Sequence, residues 1–526
     1  MFNNIITSKS FPFFIAFTLA ILTTGFLRLQ LFTGVPESDG GFYTFINQYI
    51  HHALNNGEDL KDIPIHLYQM MTYWVYGLDV HQLIVLRLID GLVAIAASII
   101  LFKVILKESG SLLFTAILMI PLLIVMNDIA VIGFGYRNSI WAAYLPLFTA
   151  LLFWQNASKA DTFSFYIIGA LVSLGVLLRE PFLPFFLLAG IAIWIGYGWR
   201  VLLKYLIGSA ILGFSVLAVL LSFRGWDLLG LINSYFEGGL AGGVHWWIWG
   251  VEANAKRVLE WALETIKTSW FICFTASLSV IYLVKIYATD KKLVSVNRFY
   301  FWLAIALLPL LEWIFKFGLP YHLASCLPGL TGLSAMGWRY INSNEPKKVS
   351  KSLLLILGLT SLIVIVPTVN RTIINSNFIF SPLDAIERIT MLDSFRGKHT
   401  IERSQYLIAA ARIYELSRED STLAVSGFWQ PVYPLTELLP PTYKLCSLRS
   451  LFISLSYSED KMIKILEKYR PTLILLSPSS SMNGDADFVS MVEKTNLYNK
   501  VGHVPKNLKI DKGYLSGTIY RLKDFK

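Results

Sequence analysis

The stretch Leu83-Ile-Val-Leu-Arg87-Leu-Ile-Asp90-Gly-Leu-Val-Ala-Ile-Ala-Ala-Ser-Ile-Ile-Leu-Phe-Lys103-Val-Ile-Leu106 decides the class of fold. A helix needs about 20 predominantly apolar residues to cross the hydrocarbon core of a bilayer, and this run is long enough. Comparable runs, some short or interrupted, fall at 11–33, 111–127, 139–155, 163–178, 181–199, 201–222, 269–287, 299–315, 321–338 and 352–369, which makes about eleven spans. The run at 11–33 follows Lys9, ends in Phe26-Leu-Arg-Leu-Gln-Leu-Phe32 and has no small-x-small cleavage site. It is therefore read as a retained first helix and not as a signal peptide.

Composition agrees. Of 526 residues, 55% are hydrophobic and 15% charged, with a mean hydropathy of +0.56. Soluble domains carry roughly 25% charged residues, so an ordinary soluble enzyme is excluded, and 14% aromatic residues exclude disorder. Cys273, Cys326 and Cys446 are too far apart for a disulfide scaffold or a zinc-ligand pattern. Charge is unevenly spread: 37 charged residues, about 24%, fall within 371–526, against about 12% in the first 370 residues. The expected organisation is a membrane domain over 1–370 and a soluble domain over 371–526.

The net charge of +10 is explained by topology and calls for no nucleic acid. With the N-terminus inside, the inner loops hold Lys103 and Lys107, Lys159, Arg200 and Lys204, Lys285 to Arg298, and Arg339 to Lys351. The outer segment 34–81 holds only Lys61 against Glu37, Asp39, Glu58, Asp59, Asp62 and Asp79, as the positive-inside rule requires. Eleven crossings put the C-terminal domain outside. The two long outer segments, 34–81 and 223–268, are rich in Trp and Tyr, as in Tyr68-Gln-Met-Met-Thr-Tyr-Trp74 and His245-Trp-Trp-Ile-Trp249. They are expected to form short interfacial helices on the outer leaflet. The tail alternates strands and helices: strands at Thr422–Gly427, Pro471–Leu476 and Gly517–Leu522, a helix at Asp460–Arg470. That is a small α/β domain without a glycine-rich phosphate loop.

Two groups of residues carry chemistry. Pro36-Glu37-Ser-Asp39-Gly-Gly-Phe-Tyr43 follows the first span. A carboxylate beside two glycines fits a tight turn with backbone close to a ligand, where Asp39, or Glu37, accepts a proton from a hydroxyl or holds a divalent metal. A solvated turn is the other reading of the same residues. The second group is Arg87, Arg137, Arg179 and Lys316, cations at outer helix ends. An Arg at the bilayer centre costs about 2.5–3.5 kcal/mol on insertion scales; near the ends it snorkels. Arg87 has Asp90 at i+3, so a structural ion pair competes with the alternative, in which four cations at one depth hold a lipid phosphate. His66 and His322 are solitary.

With these residues in order, the chain resembles the GT-C superfamily of membrane glycosyltransferases, in particular bacterial members related to protein O-mannosyltransferases and to aminoarabinose transferases of lipid A. Asp39, Gly40 and Tyr43 stand where the family carries its acidic motif. Ile65-His66-Leu-Tyr68 is similar to a His-Pro-Pro-Leu-Tyr stretch. Gly77-Leu-Asp-Val80 and Leu86-Arg-Leu88 match the entry to the second span. Leu177-Leu-Arg-Glu180-Pro181 occupies the position of a Leu-Thr-Lys turn, and Pro320-Tyr321-His322-Leu-Ala-Ser-Cys-Leu-Pro328 resembles an Arg-Tyr-x-Leu-Pro-x-x-Pro helix. The chain departs from the family in having a single Asp with Glu37 two residues earlier, and Arg179 followed by Glu180 in place of a Lys.

The resemblance implies a GT-C-like, mainly α polytopic protein with an extracytoplasmic α/β domain, acting at the outer face of a bacterial cytoplasmic membrane. It implies inverting transfer of a hexose or pentose from a polyprenyl-phosphate donor to an envelope glycan such as lipopolysaccharide, a lipid or a protein. Asp39 is then the base, and Arg87, Arg179, Arg137 and Lys316 hold the departing phosphate. Tyr43, His66, Tyr68, Glu180, His245, Tyr321 and His322 line the substrate. The resemblance fixes no cofactor; it leaves room for a divalent metal, which, if used, falls to Asp39. A transporter or flippase is the rival from another class, but the chain has no two-fold hydropathy repeat or paired broken spans. An O-antigen polymerase or ligase has less use for an acidic first loop. A membrane sensor needs far fewer spans.

Overall fold

The computed structural model describes residues 11–29, 38–58, 60, 63, 67–79, 82–128, 140–157, 163–179, 182–232, 251–289, 296–315, 323–344, short pieces between 358 and 373, 398–427, 429–455, 457–477, 487–505 and 516–524. Its first two thirds form a helical bundle. α1 runs over Phe11–Arg28 with a π-helical turn at Ala20–Gly25; α2 is Ser38–Asn55; α3 is Leu67–Thr72, continued by a 3-10 turn at Tyr73–Gly77. There follow α4 (Gln82–Ser109), α5 (Leu112–Met126), α6 (Ile140–Asn156), α7 (Ser164–Leu178), α8 (Leu183–Tyr197) and α9 (Trp199–Phe223). α10 (Val251–Thr268), α11 (Trp270–Thr289), α12 (Val296–Phe315) and α13 (Leu327–Asn344) complete it.

Ten of the expected spans thus appear as helices, and the eleventh, 352–369, lies largely outside the described residues. Phe11–Arg28, Gln82–Ser109, Trp199–Phe223 and Trp270–Ala288 are long and apolar enough to cross a membrane, with shorter apolar helices among them. The protein is a multi-pass membrane protein. Tight hairpins explain how the chain doubles back. Gly110, at φ +66°, separates α4 from α5, and the Ser111 side chain accepts the Phe114 amide to cap α5. Gly198, at φ +86°, does the same between α8 and α9.

Small residues let the helices approach. A Cβ on Gly169 would stand 2.0 Å from the Tyr205 carbonyl oxygen, and one on Gly208 2.0 Å from that of Tyr166, so α7 and α9 touch backbone to backbone. The Ser209 hydroxyl donates to the Gly169 carbonyl at 2.9 Å across the same seam. Without a hydrophobic drive between helices in lipid, such close packing and interhelical hydrogen bonds hold the bundle.

The ion pair on α4 is not the one its spacing suggests. Asp90 is bonded to Arg28 of α1, and Arg28 Nε donates to Asn127 Oδ1 at 2.8 Å. Asn127 Nδ2 in turn reaches Thr24 at 3.3 Å. All four residues are buried, and the network joins α1, α4 and the end of α5. An i+3 partner on the same helix loses to a cation from a neighbouring helix because a buried carboxylate needs a second, geometrically free donor. At the opposite end of α4, buried Glu108 pairs with Arg298 at 3.3 Å and accepts Gln155 Nε2 at 2.7 Å.

The C-terminal part opens with α14 (Lys398–Leu416) and contains β1 (Leu423–Val425), α15 (Val432–Thr436), α16 (Leu448–Ser454), α17 (Glu459–Tyr469), β2 (Leu473–Leu476), α18 (Phe488–Lys494), β3 (Tyr498–Val504) and β4 (Gly517–Leu522). The sheet order is β1-β2-β4-β3; β1 and β2 are parallel, β4 antiparallel to both its neighbours. The three expected strands are present, and β3 is an addition. Alternation decides the layers. Leu423, Val425, Leu473, Leu475 and Ile519 face one core, and Ala424, Ile474, Leu476 and Tyr520 face another formed with α16 to α18. The first core is completed by α14, α15 and also by α2 from the N-terminal part: Phe45, Ile46, Ile50 and Ala53 are fully buried there. One apolar face of α2 is therefore covered by the C-terminal part of the protein. Burial pushes the Cys446 thiol in this core up to about 12, which makes it a packing residue and no nucleophile.

Candidate active site

Asp39 is the second residue of α2. The expected glycine turn is instead the first turn of an 18-residue helix. Glycine inside a helix costs about 0.5–1 kcal/mol relative to alanine, and burial of the aromatic face of α2 offsets that cost. Gly41 has its own reason: a Cβ there would lie 2.5 Å from Pro431 Cα, so the close backbone approach read from the sequence is made by the C-terminal domain. The helix N-terminus is also where the macrodipole favours a carboxylate.

Along α2 the neighbours are fixed by two contacts. Asn47 Nδ2 donates to Thr72 Oγ1 at 2.8 Å, and the His51 ring lies against Gly77. α2 and α3 therefore run side by side in the same direction, and the start of α3, with Tyr68 and Gln69, lies beside the first turns of α2. Tyr68 is buried. Tyr43 is half-buried where the membrane-domain core meets the C-terminal core and packs against both.

Two of the four candidate cations are described. Arg87, in the second turn of α4, and Arg179, the C-cap of α7, are each 2% exposed. Arg179 sits at a helix C-terminus, where positive charge is favoured, and its guanidinium stands 5.9 Å from the Phe182 ring. Phe182 packs on Tyr144 at 5.3 Å, and the Tyr144 hydroxyl donates to the Ser325 carbonyl in the turn just before α13. α3 touches α7, and the 3-10 turn after it touches α4. The α3 segment thus connects the helix that carries Arg87, the helix that Arg179 caps and the helix whose first turn holds Asp39. Glu37, His66, Arg137, Glu180, His245, Lys316, Tyr321 and His322 lie outside the described residues, as does the side chain of Asp39. Among the described residues no three His, Cys, Asp or Glu side chains group as metal ligands.

Sequence reasoning passed over Gln69. It is fully buried, and among the described residues neither its amide oxygen nor its amide nitrogen has a hydrogen-bond partner. The available signal was a lone amide in the stretch Leu67-Tyr-Gln-Met-Met71. A buried amide without partners costs about 1–3 kcal/mol. Gln69→Met, of similar volume, is therefore expected to raise resistance to thermal unfolding; a clearly lower unfolding temperature would mean that the amide is satisfied.

No protein-family model matches the sequence, and no curated protein matches it. Among solved structures the chain is similar to the crystal structure of ArnT from Cupriavidus metallidurans bound to undecaprenyl phosphate. The two are 12% identical, the match covers 96% of this chain and 97% of that one, and the TM-score is 0.55. The fold is the GT-C fold with a small C-terminal sheet domain.

Proposed function

We propose that the protein is a glycosyltransferase that takes a monosaccharide from a polyprenyl-phosphate donor and passes it, with inversion, to an envelope acceptor. The observation that carries this reading is the pair of buried guanidinium groups, Arg87 and Arg179, on helices joined through α3 to the helix of Asp39. The GT-C fold, shared with a protein crystallised with undecaprenyl phosphate, supports the same class of donor. In the reaction, the carboxylate of Asp39 takes the proton of the acceptor hydroxyl as its oxygen attacks the anomeric carbon. The bond from that carbon to the phosphate oxygen breaks, and the electron pair leaves with polyprenyl phosphate. Arg87 and Arg179, with Arg137 and Lys316, stabilise the charge that develops on the leaving phosphate. Tyr43, Tyr68 and Gln69 offer donors and acceptors to the sugar hydroxyls, with His66, Glu180, His245, Tyr321 and His322 as further substrate contacts.

The site then works on the outer face of a bacterial cytoplasmic membrane. Contact between Gly41 and Pro431 supports the same side for the acidic helix and the C-terminal domain, whatever the number of spans between them. The division of the chain at 370/371 is retained, with α2 contributed by the first part to the core of the second. The test is donor recognition. A hydrogen bond to a charged group is worth about 1.5–3 kcal/mol, so Arg87→Ala and Arg179→Ala are each expected to raise the donor KM or lower kcat/KM by roughly 10- to 100-fold. Uncharged analogues lacking the phosphate should be insensitive to both changes. Wild-type donor kinetics in both folded variants would remove the phosphate-binding role.

A further inference from the structure

α2 belongs to two bodies at once. Its sequence position is in the membrane domain, yet its buried face is part of the core beneath β1, β2 and β4. The Phe45 ring lies 4.5 Å from Tyr433 and 5.9 Å from Tyr443, and Tyr49 meets Tyr443 edge-on at 5.5 Å. Tyr433 is itself anchored: its hydroxyl donates to the Leu423 carbonyl in β1 at 3.2 Å. Pro431 caps the start of α15 and presses on Gly41, two residues beyond Asp39. On the other flank the Asn47–Thr72 bond holds α2 to α3. The start of α2 is thereby packed against the sheet domain, through Gly41 and Pro431 in its first turn and through Phe45 and Tyr49 in the turns that follow.

We propose that the C-terminal domain is the mould that sets the position of Asp39, with Gly41, Pro431, Tyr433 and Tyr443 as positioning residues. This rests on the assignment of Asp39 as the base. The role gives the domain a catalytic consequence without any acceptor-binding surface of its own. The closeness at Gly41 makes it testable. An added methyl 2.5 Å from Pro431 Cα has to move the helix start by about 1 Å to reach ordinary contact, and a misplacement of that size can cost about 10²-fold in rate.

The experiment measures kcat and donor KM of the full-length protein in nanodiscs for Gly41→Ala, Phe45→Leu, Asp39→Asn and the double variant Gly41→Ala/Asp39→Asn. The expected result is a kcat lower by about 10²-fold for Gly41→Ala, with donor KM within about two-fold of wild type, and a smaller kcat loss for Phe45→Leu. In the Asp39→Asn background Gly41→Ala should cost nothing further, because residues that act as a unit are non-additive; a general packing defect would add. If Gly41→Ala fails to fold, Phe45→Leu decides. Wild-type kcat in the folded Gly41→Ala or Phe45→Leu protein, or full additivity in the double variant, overturns the positioning role. An active Asp39→Asn protein instead removes the base assignment itself, so the two failures are distinguishable.

Discussion

Asp39→Asn is expected to lower the rate of sugar transfer by about 10²–10⁴-fold, the usual contribution of a general base. The substitution is chosen because it keeps size and hydrogen-bonding shape while removing the group that takes the proton. Asn gives up the favourable interaction of a carboxylate with the helix N-terminus, typically about 0.3–1 kcal/mol, which is small beside the packing of α2 on the C-terminal core, so the unfolding temperature should stay near that of the wild type. Donor binding should also persist, since the phosphate is assigned to Arg87 and Arg179 and not to the carboxylate. The signature is therefore a loss in kcat with little change in donor affinity, read in single-turnover transfer by purified protein. Turnover within about ten-fold of wild type, below the usual range, would move the base elsewhere, with Glu37 and Glu180 the acids to test next.

The second large effect concerns stability. Asp90→Ala leaves the Arg28 guanidinium, 3% exposed, without its carboxylate. Removing one partner of a buried pair typically costs 3–5 kcal/mol, whereas replacing both by apolar groups of similar volume is often neutral. Asp90→Ala should thus sharply lower the unfolding temperature in detergent, and Arg28→Met/Asp90→Leu should recover most of the loss. The comparison isolates the uncompensated cation from mere loss of packing between α1 and α4. An Asp90→Ala protein as stable as wild type would mean that Asn127, bonded to Arg28 at 2.8 Å, suffices to hold the charge.

The membrane bundle was legible because crossing lipid demands long apolar runs, and those runs return as α1, α4 to α9 and α11 to α13, most of them within a few residues of the expected ends and α13 shifted by six. The strands at 423–425, 473–476 and 517–522 were legible as well, since buried strands are short, β-rich and bounded by turns. What local pattern could not supply was the partner of each element. Asp90 sits one turn from Arg87 along the chain, but α1 brings Arg28 to it across 62 positions. The two glycines after Asp39 read as a turn because glycine marks close approach; that the approaching backbone is Pro431, almost 400 residues later, is a fact of tertiary packing. α2 carries an aromatic face suited to a membrane surface, and only the folded C-terminal domain reveals that this face is already occupied. Gln69 escaped notice because an amide in an apolar stretch becomes informative only once its burial and its lack of partners are known.

The most direct measurement is release of polyprenyl phosphate. Purified protein in nanodiscs is given a panel of polyprenyl-phosphate monosaccharides with crude envelope acceptors, and donor, lipid product and acceptor mass are followed together by mass spectrometry. The expected result is stoichiometric conversion of one donor to polyprenyl phosphate with a hexose- or pentose-sized mass gain on an acceptor, abolished by Asp39→Asn. Movement of an intact sugar lipid across the bilayer with no cleavage, or no release from any donor by folded protein in the presence of the acceptor pool, would contradict it and leave a GT-C fold put to another use.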